Sequence, residues 1–115
     1  MTVTIYGIRA CDTMKKAFTW LDEKGIAYQF HDYKKSGVDA RQVAHWIQVW
    51  GWEKVINRRG TTWRKLPEAQ RDAMDATSAV DAAVANTSLL KRPLVEISGT
   101  PILLGFDPEL WAATL

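Results

Sequence analysis

The first third of the chain shows two periodicities in succession. Residues 2–6 alternate between polar and apolar positions and are all β-branched or aromatic. This pattern predicts a strand that ends at Gly7. Apolar side chains then recur at helical spacing, at Met14, Ala17, Phe18 and Leu21. A second strand is predicted over 27–31. Because strand, helix and strand follow within about 30 residues, we expect a crossover that joins two parallel strands.

The middle of the chain is patterned for helices. After Asp39, a candidate helix cap, apolar residues recur on one helical face at Val43, Trp46, Ile47 and Trp50. A short helix is predicted to begin near Pro67. A further helix is predicted over 78–86, with Val80, Ala83 and Val84 on its inner side.

The last quarter predicts a hairpin and a helix. Residues 94–97 and 102–104 are apolar runs of strand length, and the segment 98–101 between them is typical of a turn. Asp107-Pro108 has the residue types that open a helix. The predicted fold class is α/β, a thioredoxin-like βαβ…ββα mixed sheet. We expect a single thioredoxin-like domain over 1–115, with a helical insertion at about 37–86.

Composition narrows the class of protein. The chain has 115 residues, of which 47% are hydrophobic and 24% are charged, the balance of an ordinary globular domain. Its formal net charge of +2 does not favour nucleic acid as a partner. No apolar run approaches the ~20 residues that a membrane span needs, so we expect a cytoplasmic protein without membrane contact. We also expect a monomer. With one cysteine and two histidines, neither an internal disulfide nor a metal site is expected.

Cys11 stands between the first strand and the first helix. Backbone N–H groups and the positive end of the helix dipole gather there, and both favour a thiolate over a thiol. Arg9 and Lys15 are close enough in sequence to add positive charge. Asp12 is interpreted as the helix N-cap. The competing interpretation is a buried cysteine that acts as a small apolar side chain.

The segment 54–65 contains five cationic residues and no acidic one. Arginine binds carboxylates and phosphates with two parallel hydrogen bonds. The candidate residues for binding such a ligand are Arg58, Arg59 and Arg64 of this segment, together with Arg92. The alternative is a solvated cationic face without a ligand. Pro93 precedes the third strand, where a thioredoxin-like fold presents a proline, often after a cis peptide bond, to an extended thiol substrate.

Three segments carry a resemblance to a known family: residues 7–13 around Cys11, residues 59–66, and residues 91–94. Together they resemble the arsenate reductase-related (ArsC/Spx) family, most of all its YffB branch, from end to end of the chain. The resemblance implies a thioredoxin-like fold. It also implies that Cys11 matches the cysteine that attacks arsenate in the family's reductases, and that Arg92 matches one of their three anion-binding arginines. Asn57 and Gly105-Phe106 stand where the other two arginines are expected.

The resemblance also implies the chemistry of turnover. In the family's arsenate reductases glutathione forms a mixed disulfide with the cysteine, and glutaredoxin resolves it. We therefore expect a glutathione-dependent thiol/disulfide reductase in which Cys11 reacts with a small-molecule or protein disulfide. Glutathione would be a co-substrate, glutaredoxin a further partner, and no cofactor would be bound. The alternatives are a weak arsenate reductase and an Spx-like regulator that binds RNA polymerase, although Met14 replaces the second cysteine of the Spx switch.

Overall fold

The computed structural model describes residues 2–115, which divide into two compact units. The sheet unit contains the residues up to Ser36 and Arg92–Leu115, and the helical unit contains Gly37–Lys91. The helical unit therefore begins where the insertion was predicted and extends five residues past it. That both units form a single domain stays a prediction.

The sheet unit contains four strands and three helices: β1 Val3–Gly7, α1 Asp12–Glu23, β2 Gln29–Asp32, α2 Tyr33–Ser36, β3 Leu94–Ile97, β4 Thr100–Leu104 and α8 Pro108–Thr114. The strand order is β2-β1-β3-β4. Strands β1 and β2 are parallel, whereas β1 with β3 and β3 with β4 are antiparallel. This is the mixed βαβ and ββα sheet that the sequence predicted, and it confirms the thioredoxin-like fold class.

Strands β2 and β4 each begin two residues away from the predicted start. Strand β2 begins at Gln29 rather than at residue 27, because the residues that pair with β1 run from Gln29 to Asp32. Strand β4 begins at Thr100, because Ser98 and Gly99 alone form the turn, both with positive φ. Pro101 therefore lies within β4, next to an irregular register in β3. A proline is tolerated there because β4 is an edge strand.

The core of the sheet unit lies between one face of the sheet and helices α1 and α8. Alternate strand residues point to this face, and α1 and α8 add apolar side chains at helical spacing. Its fully buried members include Ile5, Val95, Met14, Leu21 and Trp111. The Trp111 indole Nε1 donates a hydrogen bond to the Gly105 carbonyl at 3.1 Å, which satisfies its one polar atom and holds α8 in place.

The helical unit contains five short helices: α3 Ala40–Trp50, α4 Trp52–Val55, α5 Thr61–Arg64, α6 Glu68–Asp72 and α7 Ala76–Ala85. A 3₁₀ turn, Thr87–Leu89, follows α7. Helices α3 and α6 begin where Asp39 and Pro67 predicted them. Among residues 2–115, no helix has the length and apolar character needed to span a membrane.

Helix α7 begins two residues earlier than predicted. Asp75 is its N-cap, and the reciprocal hydrogen bonds of Asp75 and Ser78 form a capping box. The prediction that Val84 faces inward is wrong, since Val84 is 42% exposed. Ala79 and Ala83, which are four residues apart, form the buried stripe, and Val84 lies about 100° further around the helix.

Asp39→Ala is expected to lower the free energy of unfolding by about 1 kcal/mol. The Asp39 carboxylate accepts a hydrogen bond from the Arg41 N–H at 2.7 Å, and alanine leaves that donor at the start of α3 unsatisfied. Urea unfolding followed by circular dichroism measures the change. Asp39→Asn keeps an acceptor and should retain most of the stability, whereas equal losses in both variants would contradict the capping role.

Candidate active site

Cys11 lies at the N-terminus of α1, four residues after the end of β1. Its backbone is extended, with φ −88° and ψ 133°, and its carbonyl accepts the first helical hydrogen bond, from the Lys15 N–H at 3.0 Å. Cys11 is therefore the N-cap of α1, and Asp12 is the first helical residue. The prediction that Asp12 caps the helix is wrong, because the chain turns into the helix one residue earlier.

Gly7 and Met14 determine where the first turn of α1 lies. The Met14 side chain is fully buried and packs directly on Gly7 at the end of β1. A Cβ atom added to Gly7 would overlap the Met14 sulfur. This close approach anchors the first turn of α1 against the sheet, and it thereby fixes the position of Cys11.

The surroundings of Cys11 lower the pKa of its thiol. Partial burial acts in the opposite direction, since it disfavours the charged thiolate. The backbone N–H groups of Met14 and Thr13, and the hydrogen bond and positive charge of the Arg92 guanidinium, outweigh this effect. The Cys11 side chain makes no capping hydrogen bond of regular geometry. The Met14 and Thr13 N–H groups still stabilise the thiolate form of the sulfur. The thiol remains partly exposed, so it is accessible to a substrate.

Arg9 and Lys15 were predicted to favour the Cys11 thiolate by their positive charge, but the structure assigns that effect to other groups. The groups that lower the pKa of Cys11 within the described chain are Arg92 and two backbone N–H groups. The Arg9 guanidinium lies over the Phe30 ring at 5.1 Å from its centroid, a cation–π contact. Lys15 is exposed on α1. Neither Arg9 nor Lys15 is among the groups that lower the pKa of the Cys11 thiol.

Arg92 and Pro93 lie immediately before β3. The peptide bond between them is cis, as is common for a proline at this position of a thioredoxin-like fold. Pro93 is buried, and its carbonyl accepts a hydrogen bond from the Gly105 N–H at 2.7 Å. The fold thus brings together Cys11 and Arg92, two of the predicted site residues, and holds Pro93 next to Arg92.

A buried polar cluster near Arg92 was missed by the sequence analysis. The Tyr6 hydroxyl donates a hydrogen bond of 2.7 Å to the buried Glu96 carboxylate. The Tyr6 ring lies 6.4 Å from that of Tyr33, and burial raises the pKa of Tyr33 while the charge of Arg92 opposes the rise. The sequence feature that could have indicated this cluster is Glu96, an acidic residue within the apolar strand at 94–97. Strand alternation places Glu96 on the face opposite Val95.

The other predicted arginines lie in the helical unit and have different roles. Arg58 lies over the Trp52 ring at 5.6 Å and pairs with Glu53 at 3.6 Å. Arg64 donates a hydrogen bond of 2.9 Å to the Arg59 carbonyl, so it supports the backbone of its own loop. Arg58 and Arg59 line a cleft of about 580 Å³, and Arg64 does not.

The comparisons with known proteins assign the family. Residues 6–114 match the model of the ArsC family. The chain belongs to the ArsC family. A solved structure named YffB protein is 50% identical, covers 99% of both chains and has a TM-score of 0.94. The solution structure of an arsenate reductase (ArsC) related protein from Brucella melitensis is 49% identical, covers 99% of this chain and 94% of that one, and has a TM-score of 0.80.

The chain is also similar to transcriptional regulators. The global transcriptional regulator Spx of Streptococcus mutans is 23% identical over 109 residues, which cover 93% of this chain and 78% of that protein. These matches confirm the resemblance that the three sequence segments indicated. They make the chain an arsenate reductase-like member of the ArsC family.

The structure gives a local reason for one departure from the arginine pattern. The Gly105 carbonyl accepts the Trp111 indole hydrogen bond, and the Phe106 ring meets the Trp111 ring edge-on at 4.9 Å. In this ArsC-family chain, the stretch where a third anion-binding arginine was expected therefore helps to hold α8.

Proposed function

We propose that this ArsC-family chain is an oxidoreductase that uses glutathione to reduce disulfides, with Cys11 as its single nucleophile. The observation that carries the proposal is the lowered pKa of a partly exposed thiol at a helix N-terminus beside Arg92. Thiolate, and not thiol, is the species that attacks a disulfide. A partly exposed sulfur whose pKa is lowered despite its desolvation suits that reaction.

The proposed reaction has two thiol–disulfide exchanges. The Cys11 thiolate first attacks the glutathione sulfur of a glutathionylated substrate, which forms a Cys11–glutathione disulfide and releases the substrate as a thiolate that takes up a proton. The thiolate of a second glutathione then attacks the glutathione sulfur of this mixed disulfide, releasing the Cys11 thiolate and oxidised glutathione. The substrate disulfide is reduced, and two glutathione units leave joined by a disulfide. Glutaredoxin is an alternative agent for the second step.

Two further groups have proposed roles in these steps. The Arg92 guanidinium would keep Cys11 ionised between attacks and contact a carboxylate of glutathione. The backbone around Pro93 would hold the extended glutathione chain by main-chain hydrogen bonds. Since the described chain has one cysteine, the mixed disulfide must be opened by an external thiol.

Exposure to oxidised glutathione tests the proposal. Intact-protein mass spectrometry should find one glutathione adduct per chain on Cys11, none in Cys11→Ser, and release of the adduct when reduced glutathione is added. The rate of alkylation by iodoacetamide should reach half of its maximum at a pH below the ~8.5 of an ordinary thiol. A thiol that titrates at or above that value, and forms no adduct at neutral pH, would refute the proposal.

The similarity to Spx supports a second candidate function, a regulator that binds RNA polymerase. Met14 is fully buried at the position where the Spx switch has its second cysteine, so a disulfide switch has no partner for Cys11 in the described chain. A stoichiometric complex with RNA polymerase that persists in Cys11→Ser would favour the regulator. Arsenate-dependent turnover with glutathione and glutaredoxin, lost in Arg92→Ala, would favour an arsenate reductase.

A further inference from the structure

The helical unit contains a cleft whose lining residues take no part in the proposed reaction. Two chain segments form it, and an isolated antiparallel bridge between Ile56 and Leu90 joins them. The Asn57 N–H donates to the Leu89 carbonyl at 2.7 Å, and the Lys91 N–H donates to the Val55 carbonyl at 2.8 Å. These hydrogen bonds hold the two sides of the cleft at a fixed spacing.

The lining of the cleft is strongly cationic. Four cations and one carboxylate surround it: Lys54, Arg58, Arg59, Lys91 and Glu53. The carboxylate of Glu53 is already paired with Arg58. Within residues 2–115, Lys54, Arg59 and Lys91 have no ion-pair partner. Their mutual repulsion across a concave surface favours the binding of an anion, because the shape of the cleft concentrates their field.

Internal hydrogen bonds hold the backbone of the cleft. The Asn57 side chain accepts a hydrogen bond from the Arg59 N–H at 3.3 Å, and the Gly60 N–H donates to the Asn57 carbonyl at 3.3 Å. Arg64 adds the hydrogen bond to the Arg59 carbonyl described above. Arg58 is held between the Trp52 ring and Glu53. A site with an ordered frame loses less entropy when it binds a ligand.

We propose that this cleft binds a small ligand that carries two or more oxyanion groups, phosphates or carboxylates. A volume of about 580 Å³ is within the range of small-molecule sites. Three unpaired cations on two opposed segments suit a compact ligand with negative charge at both ends, because each end meets at least one cation. The arginine offers paired hydrogen bonds and the lysines act as point charges. The proposal does not depend on the chemistry of Cys11.

An NMR titration of the whole chain tests the site. The two probes are inorganic pyrophosphate and S-methylglutathione, which carries two carboxylates and has no free thiol to react with Cys11. At 50 mM salt, saturable shifts are expected in the backbone amides of Asn57, Arg59 and Lys91. In the double variant Lys54→Gln with Lys91→Gln, the Kd should rise about tenfold or more, which corresponds to about 1.4 kcal/mol. Binding should also weaken at 0.5 M salt.

The control variant is Lys65→Gln, which removes an exposed cation from the same basic segment but outside the cleft. Its Kd should stay within about twofold of the wild-type value. Saturation by pyrophosphate alone assigns a phosphate ligand, and displacement of one probe by the other assigns a shared oxyanion site. Shifts that do not saturate, or an equal loss in Lys65→Gln, would overturn the proposal. So would a short RNA that binds these residues more tightly than either probe.

Discussion

Arg92→Ala is expected to raise the pKa of Cys11 and to slow its alkylation at pH 7 by about tenfold or more. The guanidinium acts on the sulfur both as a hydrogen-bond donor and as a nearby positive charge. Loss of both leaves the desolvation of the partly buried sulfur opposed by two backbone N–H groups alone. One unit of pKa changes the thiolate fraction tenfold when the pH lies below the pKa.

The pH dependence of alkylation distinguishes this effect from a general loss of structure. A raised pKa moves the half-maximal rate to higher pH and leaves the plateau at high pH intact, whereas unfolding would change the plateau too. Arg92→Lys keeps a positive charge without the planar donor and should lie between the wild type and Arg92→Ala. Lys15→Gln, which removes an exposed cation of α1, should leave the curve unchanged. An equal shift in Lys15→Gln would mean that the net charge of the region sets the pKa.

Much of the fold followed from local sequence because its signals are local. Alternation predicted β1, an apolar run predicted β3, and helical spacing predicted α1 and α3. Asp107-Pro108 predicted the start of α8, where Asp107 accepts hydrogen bonds from the Glu109 and Leu110 N–H groups. The start of β2 depends instead on which residues pair with β1. A register set by a neighbouring strand is a tertiary property, and a pattern of single-residue preferences does not contain it.

The site was predictable in its position and less so in its contacts. Cys11 and Arg92 are 81 positions apart in the sequence, and topology together with the family resemblance brought them into one prediction. The predicted effect of Arg9 and Lys15 on the thiol was inferred from their nearness along the chain, which does not determine where a long side chain points. Arg9 instead stacks on Phe30, which offers its cation an aromatic face.

The basic segment 54–65 separates in the structure into three kinds of arginine environment. Arg64 supports the backbone of its loop, Arg58 is partly neutralised by Glu53, and Arg59 has no ion-pair partner in the described residues. The sequence shows five equivalent charges, because charge patterning records neither the acceptor carbonyl of residue 59 nor the position of Glu53 just outside the segment. Charge patterning also does not show that Lys54 and Lys91 line one cleft. A β-bridge between Ile56 and Leu90 brings their two segments together.

Gly7→Ala is expected to destabilise the chain by about 1–3 kcal/mol, although alanine in a strand normally adds stability relative to glycine. Gly7 does not have a positive φ, so its backbone conformation suits alanine. The added Cβ would overlap the buried Met14 sulfur, so the Met14 side chain would have to shift within the core. Against a total stability on the order of 5–15 kcal/mol, the loss is readily measured by urea unfolding.

A double-mutant cycle identifies the contact responsible. Met14→Ala alone should cost about 2–5 kcal/mol, because it leaves a cavity in the core. In that background the Gly7→Ala Cβ has room, so the second substitution should cost nothing or add stability, and the two effects should fall short of additivity by more than about 0.5 kcal/mol. Additive losses would mean that Gly7 acts through its backbone. Since this contact anchors the first turn of α1, Gly7→Ala should also shift the alkylation curve of Cys11 to higher pH, whereas Asp39→Ala should not.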